Sequence, residues 1–396
     1  MKILQLIPQF CYPADEGGKI GIANIYEEFS TSEEVTLFSL SNKKINSEHY
    51  ELASQFGNVF IQYANTRNSF RNIFKSLFTK EPLYLFKHYS KDVIKQVEKI
   101  VETNSFDIIH ADHTAMAPLA YYIKRKYGIP IGLRLHNIEY KIWERYSEEL
   151  KYGSLKRKYI DSQASKLENK ESILISKMDV NFVITDVDKK RAIKLSPKAN
   201  IVVASAGVSP NKWFAGKLSQ RQPKQIIIAS TWNWIHNSNG LRWWVEKVLP
   251  LVKSKINDVE LIVIGKDSPN FLKNNINIEP VGYVEEVLPY FHNSNIYIAP
   301  LFVGSGIRIK ILEAMAAGLP VVSTSVSAEG IIASPEQGLF VSDDADAQAA
   351  IIVSLIKNKQ HAYDLGQKAR EFILEHHTWE TNVNIIKQEY QKLIEK

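Results

Sequence analysis

Apolar positions along the chain fall into short runs, separated by stretches in which they recur every three or four residues. In the first half the runs occupy residues 2–7, 35–40, 59–62, 107–111, 131–135 and 180–184. Helical periodicity lies between them, as at 20–29 and 92–101. Strands separated by helices predict parallel βαβ units and an open α/β sheet. The pattern then restarts: residues 225–229, 259–264, 276–280, 296–300, 320–323 and 339–341 read as strands, with helices at 240–255 and 307–317 among those between. A second parallel sheet is more than one core needs, so two Rossmann-like domains are expected.

The boundary falls between 206 and 223, a stretch punctuated by Gly207, Pro210, Gly216 and Pro223 and without sustained periodicity. The expected division is 1–205 as an amino-terminal domain, 206–375 as a second, and 376–396 as a helix packing back on the first. A long polar helix around 142–177 reads as a protruding, solvated element. There is no fixed-period repeat and no low-complexity tract.

Composition narrows the class. The 396 residues suit two to three domains. Cys11 is the lone cysteine, which excludes an internal disulfide and a cysteine-based zinc site and fits a reducing compartment. The start, Met1 to Pro8, is too short for a signal-peptide core, and no apolar run approaches the ~20 residues of a membrane span. A cytoplasmic protein is expected, at most peripheral on the inner face of the cell membrane. A net charge of +6 suits anionic ligands or an anionic surface and falls short of a nucleic-acid signature. Residues 68–95 mix Arg71, Lys75, Lys80 and Lys87 with Phe70, Phe74, Phe78, Tyr84 and Phe86. That mixture suits an ordinary amphipathic face packed on the first sheet, with a membrane surface bearing a lipid-linked acceptor as the alternative.

The segment 299–322 carries the most chemistry. It reads strand, loop with Gly304 and Gly306, helix, then Gly318-Leu319-Pro320 into another strand. Ligands of such sheets bind beyond the strand carboxyl ends, where a helix amino terminus attracts phosphate. Gly304 and Gly306 would let the backbone approach phosphate oxygens closely. Lys310 and Glu313 lie one turn apart, opposite an apolar arc of Ile307, Ile311, Leu312 and Met315. A cation for diphosphate and a carboxylate for ribose hydroxyls form a sensible pair. Arg308 reaches the site only if the first helical turn is distorted. Trp243 and Trp244 read as core, whereas Trp232 and Trp234, at a strand end, suit either stacking or core.

With these residues the chain resembles the retaining glycosyltransferases of family 4. The resemblance is strongest over residues 304–322 and Ala328-Glu329-Gly330. Tyr12 to Lys19, with Gly17-Gly18, looks like the family's amino-terminal glycine loop, and Gly282-Tyr283-Val284 like its nucleotide-contacting turn. Trp232-Asn233-Trp234, Asn237 and 240–243 resemble a subgroup linked to exopolysaccharide assembly. The resemblance implies the GT-B fold, α/β with two Rossmann-like domains facing each other across a cleft. It implies retaining transfer of a sugar from a nucleotide-diphosphate donor, such as a UDP- or GDP-sugar, to a saccharide or lipid-linked acceptor. Gly17, Gly18, Val284, residues 304–308, Lys310 and Glu313 would bind the donor. A histidine near the reacting sugar is implied at a strand end where His110, Asp112 and His113 stand; His136, Asn137 and Glu139, at the next strand end, are acceptor candidates.

Two departures stand out. Of two glutamates eight positions apart, the second matches Glu313 but Ser305 holds the first. The usual basic residues after the first strand of the second domain are absent, with Thr231 or Trp232 and Asn239 near their places. No Asp-x-Asp ends a strand, and Asp343-Asp344 comes too late, so metal independence and no cofactor are expected. A non-catalytic nucleotide-sugar-binding protein, or a nucleotide-sugar epimerase on the same fold, are the rival readings. No nucleic-acid partner is expected.

Overall fold

A computed structural model describes residues 1–14, 17–273, 275–304 and 306–395, with Arg71 described by its backbone alone. The chain divides into two units, Met1–Ser205 with Asn382–Lys396, and Ala206–Thr381.

The first unit holds seven parallel strands: β1 Lys2–Ile7, β2 Glu34–Ser41, β3 Asn58–Tyr63, β4 Ile108–Asp112, β5 Ile131–Leu135, β6 Val180–Val183 and β7 Ile201–Val203. Their order is β3-β2-β1-β4-β5-β6-β7. Every residue of β4, β5 and β6 is buried, as expected when helices cover both faces of a parallel sheet. Such strands read as continuous apolar runs rather than alternating ones. β7, three residues long, has no counterpart among the sequence expectations.

The second unit holds β8 Gln225–Ala229, β9 Glu260–Ile264, β10 Ile278–Gly282, β11 Ile296–Ala299, β12 Val321–Ser323 and β13 Leu339–Val341, in the order β10-β9-β8-β11-β12-β13. In each all-parallel sheet the strand order therefore reverses once, between β1 and β4 and between β8 and β11. Ligands of open α/β sheets bind beyond the strand carboxyl ends at such reversals.

Several helices differ from expectation. The single helix at 142–177 is two, Glu139–Glu148 and Leu155–Lys177, parted by a turn in which Gly153 takes φ 75°. It is not merely solvated, because the second helix buries Leu167, Leu174 and Ile175 in the core. The helix expected at 240–255 starts earlier, at Ile235, and passes through a π-type turn at Trp244–Val248 before Leu249–Lys253. The helix expected at 307–317 spans Ile309–Ala316. The last helix, Trp379–Ile394, belongs to the first unit from Asn382 onward. There Tyr390 lies wholly buried over Gly132, where an added Cβ would sit 2.4 Å from the tyrosine ring.

Candidate active site

Beyond the carboxyl end of β11 the chain turns through Pro300–Arg308 and enters the helix Ile309–Ala316. Gly304 and Gly306 take φ 147° and 77°, the left-handed region that a side chain strains to occupy. Arg308 holds the cap position in an extended conformation, without a side-chain hydrogen bond to the helix. Its guanidinium folds back over Gly304 and donates to the Gly306 carbonyl at 3.3 Å. The first turn thus begins later than an ideal reading places it, and Arg308 joins the loop instead of projecting from the helix. Gly306 is buried and Ile307 half-buried; Ser305 lies outside the described residues.

One turn on, Lys310 Nζ donates to Glu313 Oε2 at 2.6 Å. The two are unlike in exposure, 41% for the lysine side chain and 6% for the glutamate. Lys310 also lies over the Trp213 ring, 5.8 Å from its centre. A buried carboxylate needs a partner, and this one has a cation whose outer face still meets solvent. At the neighbouring β8 end Trp232 is buried, with Nε1 donating to the Ile264 carbonyl at 3.0 Å. It serves the core and not a ligand. Trp244 is also core, Trp243 packs edge-on against Phe302, and Trp234 is exposed. Helix Ile235–Trp243 presses Gly240 against the loop so closely that a Cβ there would sit 2.1 Å from the Pro300 oxygen. Val284, half-buried, follows the positive-φ Gly282 at the β10 end. Asp343 and Asp344 are committed elsewhere: the first accepts from Ser325 and the second caps the helix Ala345–Lys357.

In the first unit the β4 and β5 ends build one buried polar network. Asp112 is fully buried and accepts from Gln5 Nε2 at 2.8 Å and His136 Nε2 at 2.8 Å, with Arg134 Nη1 at 3.5 Å and His110 Nε2 at 3.4 Å. Burial works against its charge, but His110 and His136 beside it hold the carboxyl well below the usual carboxylate range. His110 is also fully buried, Nδ1 lying 2.6 Å from the Tyr390 hydroxyl and the ring edge-on to Phe29. It is a core residue, held by Tyr390 through Nδ1, with Nε2 3.4 Å from Asp112 and in no hydrogen bond among the described residues.

Of the three candidates at the end of β4, His113 alone is not fully buried, being half-buried just past the strand. Its backbone is left-handed, φ 66°, and its ring stacks on His136 at 3.7 Å. Burial, then the neighbouring His136, keeps its imidazole neutral well below the usual range, and burial with Arg134 lowers His136 to about 4. His113 Nε2 is buried with no hydrogen-bond partner among the described residues, and it lies 4.0 Å from where a Cβ on Gly18 would sit. The start of helix Gly17–Ser30 thus comes over the two rings, with Gly21 against Arg134 and His136. Asn137 is half-buried. Glu139 is buried, and Glu171 caps its helix, accepting the Glu139 and Tyr140 N–H groups at 3.0 and 3.1 Å.

Gln5, Glu171, Trp213 and Tyr390 complete these sites and were not foreseen. Gln5 had a visible signal, a lone amide inside an apolar strand. The other three come together only through the fold.

Residues 223–358 match the family model described as Glycosyl transferases group 1. A Klebsiella pneumoniae protein, the uncharacterized 44.6 kDa protein in the cps region, is 28% identical over 36% of this chain and 39% of its own length. An uncharacterized glycosyltransferase of Methanocaldococcus jannaschii is 23% identical over 57% of this chain and 58% of its own. The chain therefore spans roughly two to three fifths of the length of these curated relatives. Among solved structures, sucrose-phosphate synthase from Thermosynechococcus elongatus superposes with a TM-score of 0.73 at 15% identity, covering 99% of both chains. An Anabaena protein crystallised in complex with UDP superposes with 0.67 at 13% identity, over 99% of this chain and 100% of that one. The two parallel-sheet α/β domains are those of GT-B glycosyltransferase structures.

Proposed function

We propose that this chain is a glycosyltransferase that moves a sugar from a nucleotide-diphosphate donor to a saccharide or lipid-linked acceptor. The observation that carries the reading is the pairing of buried Glu313 with half-exposed Lys310, one turn into a helix that begins behind the Gly304–Gly306 turn. Glu313 Oε2 is taken by Lys310, leaving Oε1 for ribose hydroxyls. Lys310, Arg308 and the helix start would bear the negative charge that builds on the diphosphate as the bond from sugar C1 to phosphate oxygen breaks. That supply of positive charge is the reason we infer transfer without a metal ion.

In the first unit, neutral His113 would exchange a hydrogen bond with a sugar hydroxyl through its unpartnered Nε2, held in place by the His136 and Asp112 network. His136, Asn137 and Glu139 are proposed for the acceptor side. Retention of configuration and a place in cell-surface polysaccharide assembly follow from the resemblance of residues 304–322 and 240–243. The similar fold that holds UDP favours a UDP-sugar among the donors.

A thermal-shift panel of UDP-, GDP- and dTDP-sugars tests the reading, since a ligand that binds only the folded chain raises its melting temperature. One donor class should raise the melting point, and Lys310→Ala and Glu313→Ala should each abolish the rise. An undiminished rise in both variants shows that the donor sits elsewhere. Sugar transfer to acceptor with loss of nucleotide separates this reading from a binding protein or an epimerase.

A further inference from the structure

The helix Phe70–Leu77 is turned inside out. Its buried side is polar: Ser76 is fully buried, its hydroxyl 2.8 Å from the Tyr159 hydroxyl, and its carbonyl accepts Lys166 Nζ at 2.6 Å. Nearby Lys170 pairs with Glu81 and Gln163 accepts the Leu83 N–H at 2.8 Å, so polar contacts anchor this segment to the helix Leu155–Lys177. Its outward side is apolar. Phe70, Phe74, Leu77 and Phe78 are 93, 64, 53 and 76% exposed, and the Phe74 and Phe78 rings touch at 5.1 Å. The alternative of a face packed on the first sheet is therefore overturned for Phe70, Phe74 and Phe78, and Leu77 is exposed beside them. Helical periodicity set the face; it carried no information on which way the face points.

A contiguous aromatic patch left to water asks for a partner, and charge says which. Arg67, Arg71, Lys75 and Lys80 all fall within residues 67–80, with no acidic residue among those fourteen. Arg67, Lys75 and Lys80 are exposed. Aromatic side chains ringed by cations of one sign match an anionic lipid surface: the rings enter the headgroup–acyl boundary while the cations meet the phosphates. No described helix is long and apolar enough to cross a membrane, so such contact would lie along the surface.

We propose that the face formed by Phe70, Phe74, Leu77 and Phe78 docks the chain on anionic lipid. The inference deepens the proposed function, since it would bring the enzyme to a lipid-linked acceptor. It does not share that proposal's test, because the binding assay below contains no nucleotide sugar.

Full-length chain is co-sedimented with vesicles of phosphatidylglycerol mixed with phosphatidylcholine, and with vesicles of phosphatidylcholine alone. Binding is expected to the anionic vesicles and to weaken with salt. Phe74→Ser with Phe78→Ser should lower partitioning on the order of tenfold per phenylalanine. Lys75→Glu with Lys80→Glu should lower it by at least about fivefold per residue. Both pairs are exposed, so melting temperature and any donor-induced shift should be unchanged, which shows that the variants fold. Absent binding to anionic vesicles, or equal binding by the phenylalanine double variant, overturns the proposal. So does a phenylalanine-dependent dimer in sedimentation velocity without vesicle binding, which would name a second copy of the chain as the occupant.

Discussion

Glu139→Gln should make the protein more stable in alkali while leaving it nearly unchanged in mild acid. Glu139 opens the helix Glu139–Glu148 and is buried; burial first, then the neighbouring Glu171, raises its carboxyl from an ordinary 4.5 to about 8, against the opposing pull of the Tyr84 hydroxyl and Lys87. The unfolded chain releases this proton near 4.5, whereas the folded chain keeps it to about 8. Within that window the folded state binds the extra proton, so stability falls as pH rises, and the loss levels off above about 8. At 1.36 kcal/mol for each tenfold change in proton affinity the loss has a ceiling of about 5 kcal/mol, and side-chain relaxation should bring it nearer about 2–3 kcal/mol.

Glutamine keeps the shape and has no proton to lose. Melting curves of the two proteins should lie within about 2 °C at pH ~4, below that window, and separate at pH ~9, with the variant higher by roughly 5–10 °C for a unit of this size. His88 and His136, both lowered to about 4 by burial above all, act in the opposite direction. Their contribution is complete above pH ~6.5 and is lost as pH falls toward 4. They are common to both proteins and cancel in the difference. A gap that does not grow between pH ~4 and pH ~9 would refute the reasoning, because it would mean that the Glu139 carboxyl is not raised in the folded chain.

Two further outcomes separate packing from binding. Gly240→Ala should cost about 1–3 kcal/mol in denaturant unfolding, since its Cβ would overlap the Pro300 carbonyl, whereas Gly18→Ala should leave stability within ~0.5 kcal/mol and weaken the donor-induced thermal shift. Equal stability losses in the two would show that Gly18 is a packing residue. Tyr390→Phe should cost about 1–3 kcal/mol by leaving buried His110 Nδ1 without its partner. Tyr390→Ala, which also empties the space over Gly132, should cost about 3–5 kcal/mol. A cost below ~1 kcal/mol for the alanine variant would show that the last helix does not support the network at Asp112.

The fold was legible because parallel strands buried on both faces are written as apolar runs. β1, β5, β8 and β13 have the limits the runs predict. β7 was not legible, since Ile201–Val203 has three residues and two of them are half-buried. The break at Gly153 was missed because charged side chains continue through it and hide a turn inside an apparently uniform polar helix. The helix start after Gly306 was legible from spacing alone, but the position of Arg308 was not, because an ideal helix cannot anticipate an extended cap. At β4 the pattern marked His110, Asp112 and His113 equally. What separates them is Tyr390, which is 280 residues away from His110 in sequence and takes up that ring, whereas His113 is half-buried past the strand end.

The glycines of the two candidate sites carry a distinction that composition conceals. Gly240 and Gly366 are required by neighbours: a Cβ would strike the Pro300 oxygen at 2.1 Å or the Gly318 oxygen at 1.9 Å. Gly17 has no described atom within 4 Å of that position and Gly18 only His113 Nε2 at 4.0 Å, and neither takes a positive φ. Neither packing nor backbone conformation calls for glycine at 17 or 18. The proposed donor role would account for a small residue there, because bare backbone N–H groups at a helix start admit a ligand oxygen that side chains would hold off. The same helix start lies over the unpartnered Nε2 of His113, so in the proposed reading the space above Gly18 and the atom facing it would belong to one site. Beneath it the His113 ring stacks on His136, which the buried Asp112 carboxylate holds, so the proposed site would be ordered before any ligand arrives.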